Sequence, residues 1–321
     1  MPRFLPSLTA ALAWGGMFPI AAGALHRVDP VHLTAVRYLL ASLVFVGLLL
    51  AIEGRAALRP EGRALELWLL GTLGFAGFNL LTYVALEHTR PQDASLIVAT
   101  TPVITILAAW AISSVRPRGA QLALTATALL GVGLVISRGQ PSRLADGSVG
   151  AWEVLILGGV VAWVTYTMGA RRFPGFSPLR YTTLTALGGT LSIVAIAQAL
   201  TWGGALDAPA AGDFVAIWWR VLYVAGPAAA LAVLAWNDGV HRLGAPNGAL
   251  FINLVPVVTF AIAVVQGYRP GGVELAGAGL TVAALVGANL VGRRRRGAGG
   301  PQASTRPSSS TWVANPAESR A

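Results

Sequence analysis

The spacing of its charges constrains this chain more than any other feature. The 321 residues include 23 basic and 13 acidic side chains, which spread evenly would leave gaps of roughly eight residues. Instead ten runs of at least 15 residues carry no charge: 4–26, 38–52, 67–86, 94–115, 119–137, 154–170, 181–206, 221–237, 243–268 and 275–292. With its flanks, each reaches the length that crosses a bilayer as a helix, about 17–25 residues. The runs 38–52 and 221–237 are short only because Arg37 and Arg220 interrupt them. Hydrocarbon offers no partner to backbone polar groups, so each run must satisfy its own as a helix. The pattern predicts an all-α membrane protein with ten transmembrane helices. A soluble helical core would instead show a polar stripe along each helix, and Leu122–Ile136 and Leu243–Gln266 show none. Composition agrees: 11% of residues are charged, against about 25% in soluble domains.

The net charge of +10 then reads as topology. In a soluble chain it would suggest nucleic acid. Here the arginines are distributed one to four per loop without a continuous basic face, and every basic residue is Arg. One set of alternate loops, with the N-terminal and C-terminal flanks, holds 14 arginines and the opposite set holds five. The positive-inside rule places both termini in the cytoplasm, which gives a multi-pass membrane protein. Ala22-Gly23-Ala24 could pass for a signal-peptidase site, but nine further spans favour an uncleaved first helix. Trp68, Trp110, Trp152, Trp202, Trp218 and Trp219 fall near span ends, where an interfacial belt belongs. Residues 293–321 read as a disordered basic and polar cytoplasmic tail. Its Arg293–Arg296 cluster suits a stop-transfer anchor better than a site for anionic lipid.

The two halves resemble each other at an offset of about 148–154 residues. Asp29-Pro30 parallels Ser177-Pro178, Trp14 parallels Trp163, Pro102 parallels Pro256, and Gly131-Val132-Gly133 parallels Gly277-Ala278-Gly279. A repeat of five spans is odd, so the second copy (150–292) must cross in the opposite sense to the first (4–137). Two inverted five-helix repeats are an arrangement that many transporters use to alternate access around a midplane site.

Ala13-Trp14-Gly15-Gly16-Met17-Phe18, Asp29-Pro30 and Arg37, with His241-Arg242-Leu243-Gly244-Ala245, Leu254-Val255-Pro256 and Gly277 in the second half, resemble the EamA-type branch of the drug/metabolite transporter superfamily. Ala235-Trp236-Asn237-Asp238-Gly239 resembles a segment of that family's bacterial aromatic amino-acid exporters. The resemblance implies an export-type carrier of small metabolites in the bacterial inner (plasma) membrane. Where the family often has Gly-Glu after the fourth and ninth spans, this chain reads Ser114-Val115-Arg116 and Gly267-Tyr268-Arg269, so no role for that glutamate carries over.

A substrate site is expected where helices are broken and polar groups reach the bilayer centre. Pro19, Pro102, Pro227 and Pro256 lie near mid-span, and Gly226-Pro227 is the strongest interruption, matched by Gly71, Gly74 and Gly77 in the third span. These are candidate gating bends, or else kinks that serve packing. Trp14, Trp163 and Tyr166 sit away from the belts and could stack on an apolar ligand. Asn79, Thr101 and Asn253 can donate and accept in an apolar wall, or simply bridge helices. Arg37, about two turns inside the second span, could hold a substrate carboxylate or snorkel to the interface. Arg220 is an interface anchor.

Glu66, Glu153, Asp238 and Glu274 all fall near span ends, so no central proton relay is marked. Facilitated diffusion or exchange stands level with proton coupling. Without cysteine there are no disulfides, thiolate metal sites or cysteine nucleophiles. There is also no His-Glu-x-x-His, Gly-x-Ser-x-Gly or P-loop lysine. The expectation is a carrier without cofactor or metal, whose partners are a small-molecule substrate and the lipid bilayer, with no nucleic acid, acting as a monomer. The competing readings are a membrane scaffold that transports nothing and, further off, an intramembrane enzyme.

Overall fold

The structure is a computed structural model that describes residues 2–113, 119–140, 150–243 and 251–298. Among these residues every regular element is helical. We number the spans α1 (Leu5–Leu25), α2 (Pro30–Ile52), α3 (Ala64–Leu86), α4 (Pro91–Val98 and Thr101–Ser113), α5 (Gly119–Ser137), α6 (Ala151–Gly169), α7 (Pro178–Trp202), α8 (Trp218–Leu243), α9 (Leu254–Val265) and α10 (Gly272–Ala298). Seven are long and apolar enough to cross a membrane, and α5, α9 and α10 contribute the shorter apolar stretches Leu122–Val135, Leu254–Val265 and Gly272–Gly287. These ten helices coincide in order with the charge-free runs, and the chain is a helical membrane protein of two inverted repeats. Ser114–Arg116, Gly244-Ala245 and the chain from residue 299 onward lie outside the described residues. Within them, α10 continues through Arg293–Arg296 to Ala298, so the arginine cluster belongs to the end of a helix.

The start of each repeat's second helix follows from local chemistry. Asp29 caps α2 by accepting from the amides of Val31 at 2.9 Å and His32 at 3.0 Å. Ser177 caps α7 through the Arg180 amide at 2.9 Å. A proline in the first turn follows each cap, where its missing donor costs nothing.

The repeats interlock rather than sit side by side. Helix α1 packs on α8 and α9, and its counterpart α6 packs on α3 and α4; α2 lies against α7, and α5 against α10. This is the exchange that a two-fold relation between the halves demands. Small residues make the crossings close. A Cβ on Gly277 would come within 2.9 Å of the Gly131 carbonyl oxygen, and one on Gly131 within 2.7 Å of the Gly277 oxygen. The paired glycines of α5 and α10 are therefore a helix crossing.

Loops of one assigned side meet one another. On the arginine-rich side, Arg180 pairs with Glu61 at 2.7 Å and lies 3.9 Å from the Phe176 ring centre, while Arg63 covers Phe173 at 3.8 Å. On the other side, Arg90 pairs with Asp93 at 2.8 Å and, across the repeats, with Glu274 at 2.6 Å. His88 stacks on Trp152 there. Every Trp assigned to the interfacial belt is exposed.

Candidate functional site

Both repeats interrupt their helices at matched depths. In α3, Thr72–Gly77 is π-helical, and in α8 so is Gly226–Leu231; the two segments are six residues each and start 154 residues apart. In α4 the helix breaks at Ala99–Thr100, ahead of Pro102, and a turn at Asn253 precedes α9 and Pro256, again 154 residues on from Ala99. Each interruption frees backbone carbonyls that a regular helix would consume. Val98's carbonyl accepts from the Thr101 hydroxyl. Ala228's carbonyl accepts from Trp14 Nε1 at 3.0 Å and from Arg37 Nη2 at 3.3 Å. Pro19 behaves differently, because α1 runs on through it. The Gly15 carbonyl one turn earlier accepts from Thr259 of α9 at 2.8 Å, so Pro19 braces a contact between the repeats.

Between these breaks lies a cavity lined by Trp14, Met17, Phe18, Arg37, Tyr38, Phe78, Asn79, Val98, Thr101, Trp163, Val233 and Ile252. Its walls come from both repeats and are mainly apolar. It has room for about one or two water molecules, less than a metabolite occupies.

Arg37 is buried at its centre and does not snorkel. Nη1 donates to Asn79 Oδ1 and to the Tyr83 hydroxyl, both at 2.7 Å. Nη2 reaches the Met17 sulfur at 3.2 Å as well as the Ala228 carbonyl. Nε has no partner among the described residues. Asn79 is itself held, since its Nδ2 donates to the Phe75 carbonyl at 2.9 Å and to the Tyr38 hydroxyl at 3.0 Å. The guanidinium thus sits in a fixed frame of neutral groups.

Trp14 and Trp163, equivalent in the two repeats, meet edge to face with centroids 5.7 Å apart. Phe78 lies 5.6 Å from Trp163, and Trp236 5.6 Å from Trp14. The result is a patch of rings open to the cavity on one side, suited to stacking on a flat apolar body.

Of the residues singled out from sequence, Trp14, Arg37, Asn79, Thr101 and Trp163 line the cavity together. Thr101 does so with its hydroxyl committed to the helix break. Tyr166 stands behind the wall, 5.1 Å from Trp163, its hydroxyl accepting from Asn237 Nδ2 at 2.9 Å. Asn253 is buried beside the lining residue Ile252, and both polar atoms of its amide lack partners among the described residues. Sequence reasoning missed Met17, Tyr38, Phe78 and Tyr83. Tyr83 lies one helical turn beyond Asn79, so helical spacing would have found it, whereas Tyr38, adjacent to Arg37 in sequence, carries no such signal.

Comparison with known proteins bears on the family and the fold. The EamA-like transporter family matches residues 4–137 and again 150–290. The chain is 33% identical over 294 residues to the "Uncharacterized transporter YrdR" of Bacillus subtilis (strain 168), covering 90% of this chain and 92% of that one. It is 27% identical over 291 residues to the "Probable terminal-alkyne amino-acid exporter" of Streptantibioticus cattleyicolor, covering 88% of this chain and 93% of the relative. A solved structure described as "Crystal structure of protein" has the same fold, with a TM-score of 0.67 at 24% identity, over 91% of this chain and 97% of the other. The chain belongs to the EamA-like transporter family, as a membrane transporter that carries two copies of the family's repeat.

Proposed function

We propose that this protein exports small, partly apolar metabolites, amino acids or other organic solutes, across the bacterial inner membrane by alternating access, with both termini in the cytoplasm. The observation that carries the reading is the cavity between the repeats, where matched helix breaks, a cluster of aromatic rings and the buried Arg37 converge. A midplane site at the junction of inverted repeats is reached from either side by rocking one bundle against the other. Pro102, Gly226-Pro227 and Pro256 stand at the interruptions and serve as the bending points. Trp14 and Trp163 stack on the cargo while Arg37, aimed by Asn79, fixes its polar end. Asn253 supplies a further polar group from the ninth helix, and Tyr166 supports Trp163 from behind.

Two relatives bear on the direction and class of cargo. The Streptantibioticus protein's name describes an amino-acid exporter, and the Bacillus protein's name describes a transporter. The test is flux of a broad panel of labelled metabolites in proteoliposomes, with and without a pH gradient. Flux above protein-free liposomes for at least one class is expected. No flux across the panel would leave a membrane scaffold as the better account.

A further inference from the structure

Resting on the reading of the cavity as a transport site, its charge narrows the cargo. An arginine side chain carries a fixed positive charge, and among the described residues no Asp or Glu lines the cavity with Arg37. Several carboxylates near the ends of the spans have basic partners of their own: Asp29 with His32, Glu61 with Arg180, Glu66 with Arg63 and Arg172, Asp93 and Glu274 with Arg90, and Asp238 with Arg242. The hydrogen-bond partners of Arg37 among the described residues are neutral. A buried cation among neutral groups is costly, and one negative charge brought by a ligand relieves that cost.

The guanidinium also has an edge to spare. Nε and Nη2 form one edge of the planar guanidinium, the edge that takes a carboxylate through two parallel bonds. Nη1 is used up by Asn79 and Tyr83, whereas Nη2 holds only a thioether, a weak acceptor, and a carbonyl at 3.3 Å. Nε holds nothing among the described residues. A zwitterion would satisfy this edge but bring an ammonium into a cavity that already contains a cation and offers no carboxylate.

We infer that the preferred cargo is a small monocarboxylate with a flat, apolar or aromatic body and no ammonium group. Its carboxylate binds the Nε and Nη2 edge of Arg37, displacing the contacts to Met17 and Ala228. Its body lies against Trp14, Phe78 and Trp163. Asn79 and Tyr83 are positioning residues that aim the guanidinium.

The experiment compares three labelled compounds that share one ring: phenylacetate, phenylalanine and phenethylamine. Flux is measured in wild-type proteoliposomes at neutral pH, where the acid is ionised and both amino groups keep their charge, after subtracting protein-free liposomes. Phenylacetate should exceed phenylalanine by about tenfold or more, and phenethylamine should not exceed background. Arg37→Gln should remove the preference for the acid. Arg37→Lys, which keeps the charge but loses the fork, should keep that preference with a half-saturation constant raised on the order of tenfold. Phenylalanine carried as fast as phenylacetate would overturn the inference and leave the transport reading standing. If neither these compounds nor matched aliphatic acids, amino acids and amines are carried, the transport reading falls and this inference falls with it.

Discussion

Asn79→Asp gives the most informative perturbation of the cavity. The change is nearly isosteric, and it places a fixed negative charge where Oδ1 now accepts from Arg37 Nη1 at 2.7 Å. The two charge centres would stand about 4 Å apart, an attraction of about 4 kcal/mol at the effective dielectric that suits protein sites. Against this stand the burial of a carboxylate, several kcal/mol, and the loss of the Nδ2 donation to the Phe75 carbonyl, about 1 kcal/mol. The Tyr38 hydroxyl, now 3.0 Å from Nδ2, can turn and donate to the new carboxylate. Stability should therefore change little. Cargo binding should not survive, because Arg37 would already be neutralised. Losing about 4 kcal/mol weakens affinity on the order of a thousandfold. Asn79→Leu makes the opposite trade, since it removes an acceptor from Arg37 without supplying charge. It should cost about 1.5–3 kcal/mol of stability and leave carboxylate affinity within about tenfold of wild type. Thermal unfolding in detergent and counterflow with a labelled acid measure both quantities. An Asn79→Asp protein that binds the acid as well as wild type does would refute the role given to the charge of Arg37.

Other consequences follow from the packing. Trp163→Ala removes ring contacts worth about 0.5–1.5 kcal/mol each, so the half-saturation constant for an aromatic cargo should rise about 2- to 12-fold while the protein stays in the membrane; unchanged flux would remove Trp163 from the cavity wall. Gly277→Leu forces a side chain into the Gly131 carbonyl and the Val135 side chain. It should lower stability by about 1–3 kcal/mol, read as a fall in unfolding temperature, and unaltered stability would mean that α5 and α10 do not cross there. A reporter fused after Arg296 should be active only in its cytoplasmic form, and the reverse result would invert the orientation.

Much of the architecture was legible because hydrocarbon simplifies the problem. A span in hydrocarbon must make nearly all its backbone hydrogen bonds within itself and can carry few charges, so gaps between charged residues marked the spans with no help from propensity. The matched breaks were legible as well. Gly226-Pro227 stands out in any helix, and Gly71, Gly74 and Gly77 pointed to the equivalent place in α3, although not to its π-helical form. The partners of Arg37 were not legible, because they come from α1, α3 and α8 and are chosen by packing. Sequence left Arg37 between snorkelling and ligand binding. Tertiary contacts with Asn79 and Tyr83 turn it inward. Tyr166 was placed in the cavity from its position in the span, but a spacing of three residues from Trp163 does not say which ring faces inward. The close approach of Gly74 to the Tyr166 ring and the bond from Asn237 hold it in the second row.

Alternating access is the central claim, and the absence of cysteine makes its direct test simple. Val233 lines the cavity and is buried. Val233→Cys introduces the chain's single thiol there at little cost in volume. Membrane-impermeant thiol reagents applied in turn to each face of sealed vesicles should both label it, and saturating cargo should slow both reactions. Labelling from one face only, or labelling that cargo leaves unchanged, would contradict a cavity that opens to either side.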